Sequence, residues 1–300
     1  MDRKNEISRE VCRIFCWRPA AWLHVTGTDA PAFLQGQFSK DLRSVDSNRA
    51  VYGLWLNHKG RVMADSFVLR GTNEDFWLGS YFSPARVIRE RLESFIIADD
   101  VAIEDVTDDW AGLTFFGECG QSEVAEIGRE TGAKTFSGRR TTLPSYEVIF
   151  PKSAGETIRA RFAGATELSA TEMEQERIRS GIPAIPADIG PGDLPNEGSL
   201  EADAISYTKG CYLGQEVMAR LKSMGRVRRR LLRIRGRGEI PALPATLYQA
   251  GRKIGELRSA VAADQGFLGL ALLSLAPLLI GENLSFSPDG AGELELTDTP

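Results

Sequence analysis

The sequence predicts an α+β protein whose C-terminal part is all β. Residues 49–107 read strand, strand, strand, helix, strand, a compact mixed unit. Beyond Met224 short apolar-alternating runs recur at close spacing with turn dipeptides between them, the pattern of a small barrel. Between these parts, from Gly181 to about Ala204, the periodicity stops. Pro183, Pro186, Pro191 and Pro195 alternate there with Gly181, Gly190, Gly192 and Gly198. Unpatterned loops beyond about 12–15 residues are uncommon in compact domains, and the usual reasons are function or disorder.

In chain order, residues 1–16 are highly charged and read as a loose arm or a short exposed helix. On a helix Cys12 and Cys16 would share a face. Trp22 to Val25 is a strand. Asp29 with Pro31 opens a helix striped by Phe33, Leu34 and Phe38 and ending near Leu42. Val51 to Leu56, a turn at Asn57-His-Lys-Gly60, and Arg61 to Arg70 form a hairpin. On its second strand Asp65 shares a face with Met63, Phe67 and Leu69. Such a carboxylate either has a partner inside or faces solvent, which is the commoner case. Phe76 to Gly79 is the third strand. Ser83-Pro84 then opens a helix with Ile88, Leu92, Phe95 and Ile96 on one side, and Val101 to Val106 closes the unit.

Strands at Leu113 to Phe116 and Tyr146 to Phe150 alternate with helices at Gln121–Thr131 and around Ala154–Phe162. Glu172 to Ser180 is a charged helix whose Glu172, Glu174, Glu176, Arg177 and Arg179 read as a solvated face. Barrel strands are expected near Leu232–Arg235, 246–249, 253–259, 267–273, 283–286 and 292–296.

The bulk properties narrow the function. In 300 residues, 36 Lys and Arg stand against 41 Asp and Glu, so the mean field favours neither nucleic acid nor an anionic membrane. Four cysteines, Cys12, Cys16, Cys119 and Cys211, make no disulfide framework and imply a reducing, cytoplasmic setting. Only His24 and His58 are present, which argues against a His-rich metal site, and no metal is expected. The N-terminus has no apolar core of a signal peptide. The longest near-apolar run, Phe267 to Ile280, is shorter than the roughly 20 residues a membrane span needs. Phosphate-loop, dinucleotide and nucleophile-elbow motifs are absent.

Chemistry concentrates in Ile205-Ser-Tyr-Thr-Lys-Gly-Cys-Tyr-Leu-Gly-Gln-Glu-Val-Met-Ala-Arg220. A thiol is nucleophilic as its thiolate, which a nearby cation favours. Lys209, two residues before Cys211, is the expected cation. The competing reading is that Cys211 is a small buried hydrophobe, as free cysteine commonly is. Further on, Arg226, Arg228, Arg229, Arg230, Arg233, Arg235 and Arg237 form a basic run. It is either an RNA- or phosphate-binding stripe or a solvated strand face. No aromatic residue lies within it to stack bases, so RNA contact through Arg226–Arg237 is the weaker reading.

Lys209-Gly-Cys-Tyr-Leu-Gly-Gln-Glu216, followed by Val-Met-Ala-Arg220, resembles the sequence mark of the YgfZ family of folate-binding proteins. These are relatives of the aminomethyltransferase (T-protein) of the glycine cleavage system. Phe33-Leu-Gln-Gly-Gln-Phe-Ser-Lys-Asp41, Leu56-Asn-His-Lys-Gly-Arg61, Arg177-Ile-Arg-Ser-Gly-Ile-Pro183 and Gly225 to Leu231 resemble further family segments in the same order. The resemblance covers roughly residues 20–300.

It implies a T-protein-like fold of three domains around a central hole. Two would be α+β: a discontinuous one from 1–48 and 108–222 carrying the Lys-Gly-Cys loop, and an inserted one at 49–107. The third would be a β-barrel at 223–300. It further implies tetrahydrofolate in the hole and partners among iron–sulfur enzymes or their assembly proteins, with some members influencing tRNA modification. Cys211, Lys209 and Asp65 are then the candidate catalytic residues. Asn57, Tyr146, Glu147, Gly210, Tyr212, Gln215, Glu216 and Arg220 are the candidate folate-contacting or loop-shaping ones. The chain departs from T-proteins at two points. Ala64 and Asp65 stand where T-proteins carry adjacent acids, so one carboxylate remains. Arg179 or Ser180 stands where a pterin-holding glutamate is placed.

Two main functions follow from the resemblance: an accessory factor for iron–sulfur enzymes working through Cys211, or a tetrahydrofolate-dependent one-carbon transferase using Asp65. An RNA-binding module and a scaffold that binds no folate stand beside them.

Overall fold

The computed structural model describes residues 13–43, 45, 49–117, 121–162, 164–225 and 227–298. Among the described residues, the strands form three five-stranded sheets. The first runs β10 (Thr166–Glu167), β1 (Arg13–Trp17), β7 (Trp110–Phe116), β9 (Ser145–Pro151), β8 (Lys134–Ser137). Helices α3 (Gln121–Thr131) and α4 (Gly155–Arg161) contribute Val124, Ile127 and Ile158 to its core. The second sheet runs β3 (Val51–Leu56), β4 (Val62–Arg70), β5 (Phe76–Ser80), β2 (Ala21–Thr26), β6 (Ala102–Asp105). Onto it pack α1 (Ala30–Gln37) and α2 (Ala85–Glu93), through Phe33, Leu34, Ile88 and Leu92.

The third sheet is the barrel. It runs β12 (Ala245–Gln249), β13 (Arg252–Ala263), β14 (Gly266–Ser274), β11 (Arg229–Gly236), β15 (Leu294–Leu296). Bridges Leu284↔Leu294 and Tyr248↔Ser285 link its two edges, so the expected run at 283–286 closes the ring as bridges. Closure removes the unpaired edges of an open sheet. Gly236 and Gly255 let the walls approach: a Cβ would lie 2.1 Å from Phe267 Cζ at Gly236 and 2.1 Å from Leu272 O at Gly255.

Pairing redraws one expected boundary. The strand at Ala21–Thr26, expected in the first α+β unit, pairs with β5 and β6 in the second sheet. Its buried residues Ala21, Leu23 and Val25 belong to the same cluster as Ile88 and Leu92, and that apolar face fixes its place. The N-terminal arm also differs. Arg13–Trp17 is a strand against β7, so Cys16 sits on a sheet and not on a helix face. Burial, then Glu167, pushes its thiol up to about 11. Cys12 lies outside the described residues. Helix α1 stops at Gln37 instead of near Leu42, because Phe38 turns extended and bridges Trp55.

The long Pro/Gly segment is an ordered strap between the second sheet and the barrel. Ile185, Ile189, Leu200, Ala204 and Ile205 pack with Leu54, Leu56 and Val62 on one side and Leu272 on the other. Ion pairs hold its polar half: Arg177 to Asp188 at 2.7 Å, and Arg229 to both Asp193 and Glu197 at 2.9 Å. Arg258 also grips Asp193. Removing one partner of a buried pair costs about 3–5 kcal/mol, since the other charge is left stranded.

Beyond the strap, α6 (Glu201–Ala204) leads into the Lys-Gly-Cys loop, and α7 (Gln215–Met224) follows it. This loop rides on the β3–β4 turn. Gly214 has φ +88°, and a Cβ there would lie 2.8 Å from Asn57 O and 3.1 Å from Gly60 Cα. Gly60, at φ +67°, faces Val217 equally closely. Each glycine therefore answers both a left-handed backbone and a close approach, of backbone at Gly214 and of the Val217 side chain at Gly60. We expect Gly214→Ala to lower stability by about 1–3 kcal/mol. Urea unfolding measures this, and an unchanged midpoint would refute the close packing of loop on turn.

Candidate functional site

A cavity of about 210 Å³ opens where the first sheet, the second sheet and α5 (Ala170–Arg179) converge. The rings of Phe15, Tyr52, Tyr81 and Phe82 line it. Charged groups face it as well: carboxylates Asp65 and Glu174, and guanidiniums Arg139, Arg140 and Arg177.

Asp65 is 4% exposed and held by three hydroxyls. Oδ1 accepts from Ser80 Oγ and Ser83 Oγ, each at 2.6 Å, and Oδ2 accepts from Tyr52 OH at 3.1 Å. Burial pushes its carboxyl up, against the pull of these hydroxyls and of the Arg139 charge. The solvent-facing alternative for Asp65 does not hold. The strand carries it inward with Phe67 and Leu69, and hydroxyls from β5 and the start of α2 satisfy it. Burial also holds the Tyr52 phenol well above its ordinary range, so it stays a donor.

Glu147 forms a second buried centre. Oε1 accepts from Tyr81 OH and Oε2 from Thr114 Oγ1, both at 2.7 Å. Arg140 lies 3.6 Å away. Burial again pushes the carboxyl up, with Arg140 opposing most strongly. The Arg140 guanidinium lies 3.8 Å from the Tyr81 ring centroid and 4.3 Å from that of Trp17, a cation held over aromatic faces. Arg139 caps the Tyr52 ring at 4.3 Å and pairs with Asp203 at 2.9 Å. Tyr146 points to the opposite face of β9, into the core under α3 and α4. It does not join the cavity.

The Lys-Gly-Cys loop is built differently from the expectation. Lys209 is 4% exposed, and Nζ donates to Gln35 O at 2.6 Å, Phe38 O at 2.7 Å and Lys40 O at 3.0 Å. These carbonyls belong to the last turn of α1 and the extended chain after it. The last turn of α1 has no basic residue of its own. Lys209 supplies the cation that a helix C-terminus favours. All three ammonium protons are taken, so none remains to donate to a Cys211 thiolate. Its part is to tie the loop down. Burial pushes the ammonium down to about 8, with the Asp41 charge opposing.

The other loop candidates divide. Cys211 is exposed, which removes the buried-hydrophobe reading. Tyr212 is buried in the cluster beneath the loop, and burial pushes its phenol up to about 12. Asn57 Oδ1 accepts from Lys59 N at 2.9 Å and Arg61 N at 3.1 Å, shaping the turn under the loop. Gln215 begins α7 and accepts from Tyr212 N at 3.3 Å. Glu216 and Arg220 are exposed on α7, and Gly210 has open space where a side chain would go.

No residue of 205–220 lines the cavity. From the start of β4 at Val62 to Asp65 is three residues of extended chain, about 10 Å at 3.3 Å per residue. The carboxylate sits partway along the hairpin and the loop that carries the thiol packs on its turn, so the two form separate centres.

Four residues escaped the sequence analysis. Arg177 is 2% exposed, holding Glu174, Asp188 and Ile182 O, and is no part of a solvated face. Its signal was the i,i+4 spacing from Met173, which puts both on the buried stripe. Glu174 places a carboxylate on the cavity wall from the same helix, about one and a half turns before the expected glutamate position. Arg139 and Arg140 carried no signal, because their strand-end loop lacks any periodicity. Among the described residues, no group of three or more His, Cys, Asp or Glu side chains is arranged to hold a metal ion.

The fold and the cavity at its junction define the class. Residues 5–138 match the GCVT N-terminal domain, and residues 228–297 the CAF17 C-terminal beta-barrel domain. The glycine cleavage system aminomethyltransferase T from Bartonella henselae superposes with a TM-score of 0.73. The match covers 91% of this chain and 81% of that one at 15% identity. The architecture is thus T-protein-like. Iron-sulfur cluster assembly factor IBA57, mitochondrial, from Homo sapiens is 30% identical over 276 residues, covering 84% of this chain and 74% of that protein. The tRNA-modifying protein YgfZ of Colwellia psychrerythraea is 25% identical over 264 residues, covering 81% and 79%. The chain belongs to the YgfZ/IBA57 family.

The buried carboxylate gives a signed prediction. The folded state raises Asp65 above its ordinary 3.8, so between these values the native protein binds the extra proton. Stability from this group therefore falls as pH rises through that window. We expect Asp65→Asn to melt no lower than wild type at pH 7.5, with the difference moving against the variant as pH falls toward 4. A variant markedly less stable at pH 7.5 would show that the charge holds the fold.

Proposed function

We propose that this protein is a cytoplasmic, tetrahydrofolate-binding accessory factor that supports assembly or repair of iron–sulfur enzymes. Its exposed Cys211 loop would face the client protein. The cavity over Asp65 carries the proposal. Four aromatic rings suit a flat heterocycle, and the Asp65 and Glu174 carboxylates suit the amino and ring N–H donors of a pterin. At about 210 Å³ the cavity is smaller than the roughly 300–1,000 Å³ of sites enclosing a whole drug-sized ligand. It would take the head group and leave the tail outside. When bound, the folate would supply one-carbon carrying capacity. The protein's own part is to stack and orient the ring and exclude water.

The names of the relatives support the client side, one an iron–sulfur assembly factor and the other a tRNA-modifying protein. The free thiol supports it too. Iron–sulfur clusters normally take four ligands, so Cys211 would share any cluster with a partner. The Arg226–Arg237 run gives RNA contact less support, since Arg229 and Arg233 are committed to carboxylates.

One observation favours a second reading, a tetrahydrofolate-dependent aminomethyl or methyl transferase. Asp65 is a buried acid on the cavity wall, the kind of perturbed group that active sites use. Methylene- or methyl-folate formed from an aminomethyl or N-methyl donor, and lost in Asp65→Asn, would establish it.

Calorimetry with tetrahydrofolate is the primary test. We expect one site per chain, affinity at least tenfold weaker in Asp65→Asn, and no change in Cys211→Ala. In cells lacking their own relative, Cys211→Ala should fail to restore iron–sulfur enzyme activity while folding normally. Absence of a folate signal sinks the ligand assignment; full rescue by Cys211→Ala sinks the thiol's role.

A further inference from the structure

Across the strap from the cavity, the end of α5 and the start of β11 enclose a cleft of about 390 Å³. Thr142, Arg179, Ser180, Ser199, Arg230 and Arg233 line it. Its one carboxylate, Asp298, is already held by Arg233, through the backbone N–H at 2.7 Å and Nε at 2.6 Å. Arg233 also donates to Arg179 O at the end of α5, which brings the two side chains to one rim. Arg179 donates to Gln175 Oε1 at 3.2 Å and has a loose ion pair with Glu176 at 4.0 Å, a carboxylate shared with Arg13, so most of its charge is left uncompensated.

Two further observations mark the cleft. Arg230 Nε is buried with no hydrogen-bond partner among the described residues. A buried guanidinium N–H left open in a folded protein calls for an acceptor from outside the chain. Ser199 adopts φ +55°, a left-handed backbone that costs a non-glycine residue about 1–3 kcal/mol and that gathers at ligand sites. Ser180 Oγ accepts from Thr142 N at 3.2 Å, so its own proton is free to donate inward.

We propose that this cleft binds an oxyanion, a carboxylate or phosphate group gripped by Arg179 and Arg230 with the Ser180 hydroxyl. Guanidinium donors in a fork match such oxygens closely. Ser180 and Gly181 line the cleft, while the next two residues, Ile182 and Pro183, line the cavity. The oxyanion therefore belongs either to the tail of the cavity ligand, which rests on the folate reading, or to a separate anion.

The test is calorimetry on the full chain at low salt with pteroic acid, pteroyl-triglutamate and inorganic phosphate, in wild type and in Arg179→Gln/Arg230→Gln. Triglutamate binding at least tenfold tighter than pteroate, with the gap closed in the double variant, supports the site and assigns the tail. Phosphate binding that is lost in the double variant, with no effect of tail, supports the site and assigns a separate anion. Identical titrations of all three probes in both proteins overturn the proposal. If pteroate itself fails to bind, the cavity reading falls while the phosphate arm still decides the cleft. Arg179→Gln alone, at an exposed side chain, gives the same comparison with about a threefold loss should the double variant unfold.

Discussion

The arrangement depends on one buried ammonium. Lys209 donates to three carbonyls at the end of α1, more than 165 residues away in the chain. Hydrogen bonds to a charged group contribute about 1.5–3 kcal/mol each, far more than neutral ones. They also fulfil a need of the helix, whose last carbonyls lack intrahelical partners. The tie works beside the apolar packing of Ala204, Ile205 and Tyr212 against Leu54, Leu56 and Val62 in holding the segment after the strap to the second sheet. Ser39 adds a weaker tie, donating to Ala204 O at 2.6 Å and accepting from Leu54 N at 2.7 Å.

From that tie the loop reaches the β3–β4 turn, and the turn's hairpin reaches the cavity. Tyr52 and Asp65 stand farther along the hairpin, with Asn57 and Gly60 at its turn. Strands are stiff along their length, so the hairpin works as a spacer of fixed reach. Arg91 stiffens the near end, donating to Leu56 O at 2.9 Å and Gln37 Oε1 at 2.9 Å. Burial pushes its guanidinium down to about 10, the mark of a cation held by neutral acceptors. The thiol is thus presented outward while the carboxylate stays inside, an arrangement suited to holding a small molecule and meeting a protein at separate places.

Much of this was legible in the sequence because strands and amphipathic helices announce themselves by period. The hairpin, α2, β9 and the barrel strands all follow alternation or helical striping. The Lys-Gly-Cys motif was legible as the place where chemistry gathers. Its internal logic was not: adjacency of Lys209 and Cys211 suggested that one serves the other, whereas the ammonium turns inward to a distant helix and the thiol outward. Long-range hydrogen bonds to main-chain carbonyls leave no trace in sequence spacing. The solvated-face reading of Glu172–Arg179 holds for Glu172 and Arg179 but failed at Arg177 for a related reason. Charge pattern alone cannot tell an exposed arginine from one sealed by Asp188, which lies beyond two prolines in the strap. The strand at Ala21–Thr26 was visible, but its sheet was not, since pairing is decided by which apolar face must be covered.

The basic strand shows how burial sorts residues of one type. Arg229, on β11, turns toward the strap and is neutralised by Asp193 and Glu197. Arg233 is neutralised by Asp298. Arg228, Arg235 and Arg237 are exposed, where surface charges separated by more than a Debye length of about 8–10 Å act weakly. Arg230 fits neither group: half-buried, it keeps a donor that none of the described residues meets. A solvated face needs no such residue, and an extended polyanion track would use the exposed ones instead. The same strand therefore argues for a compact anion held at one point beside the cavity.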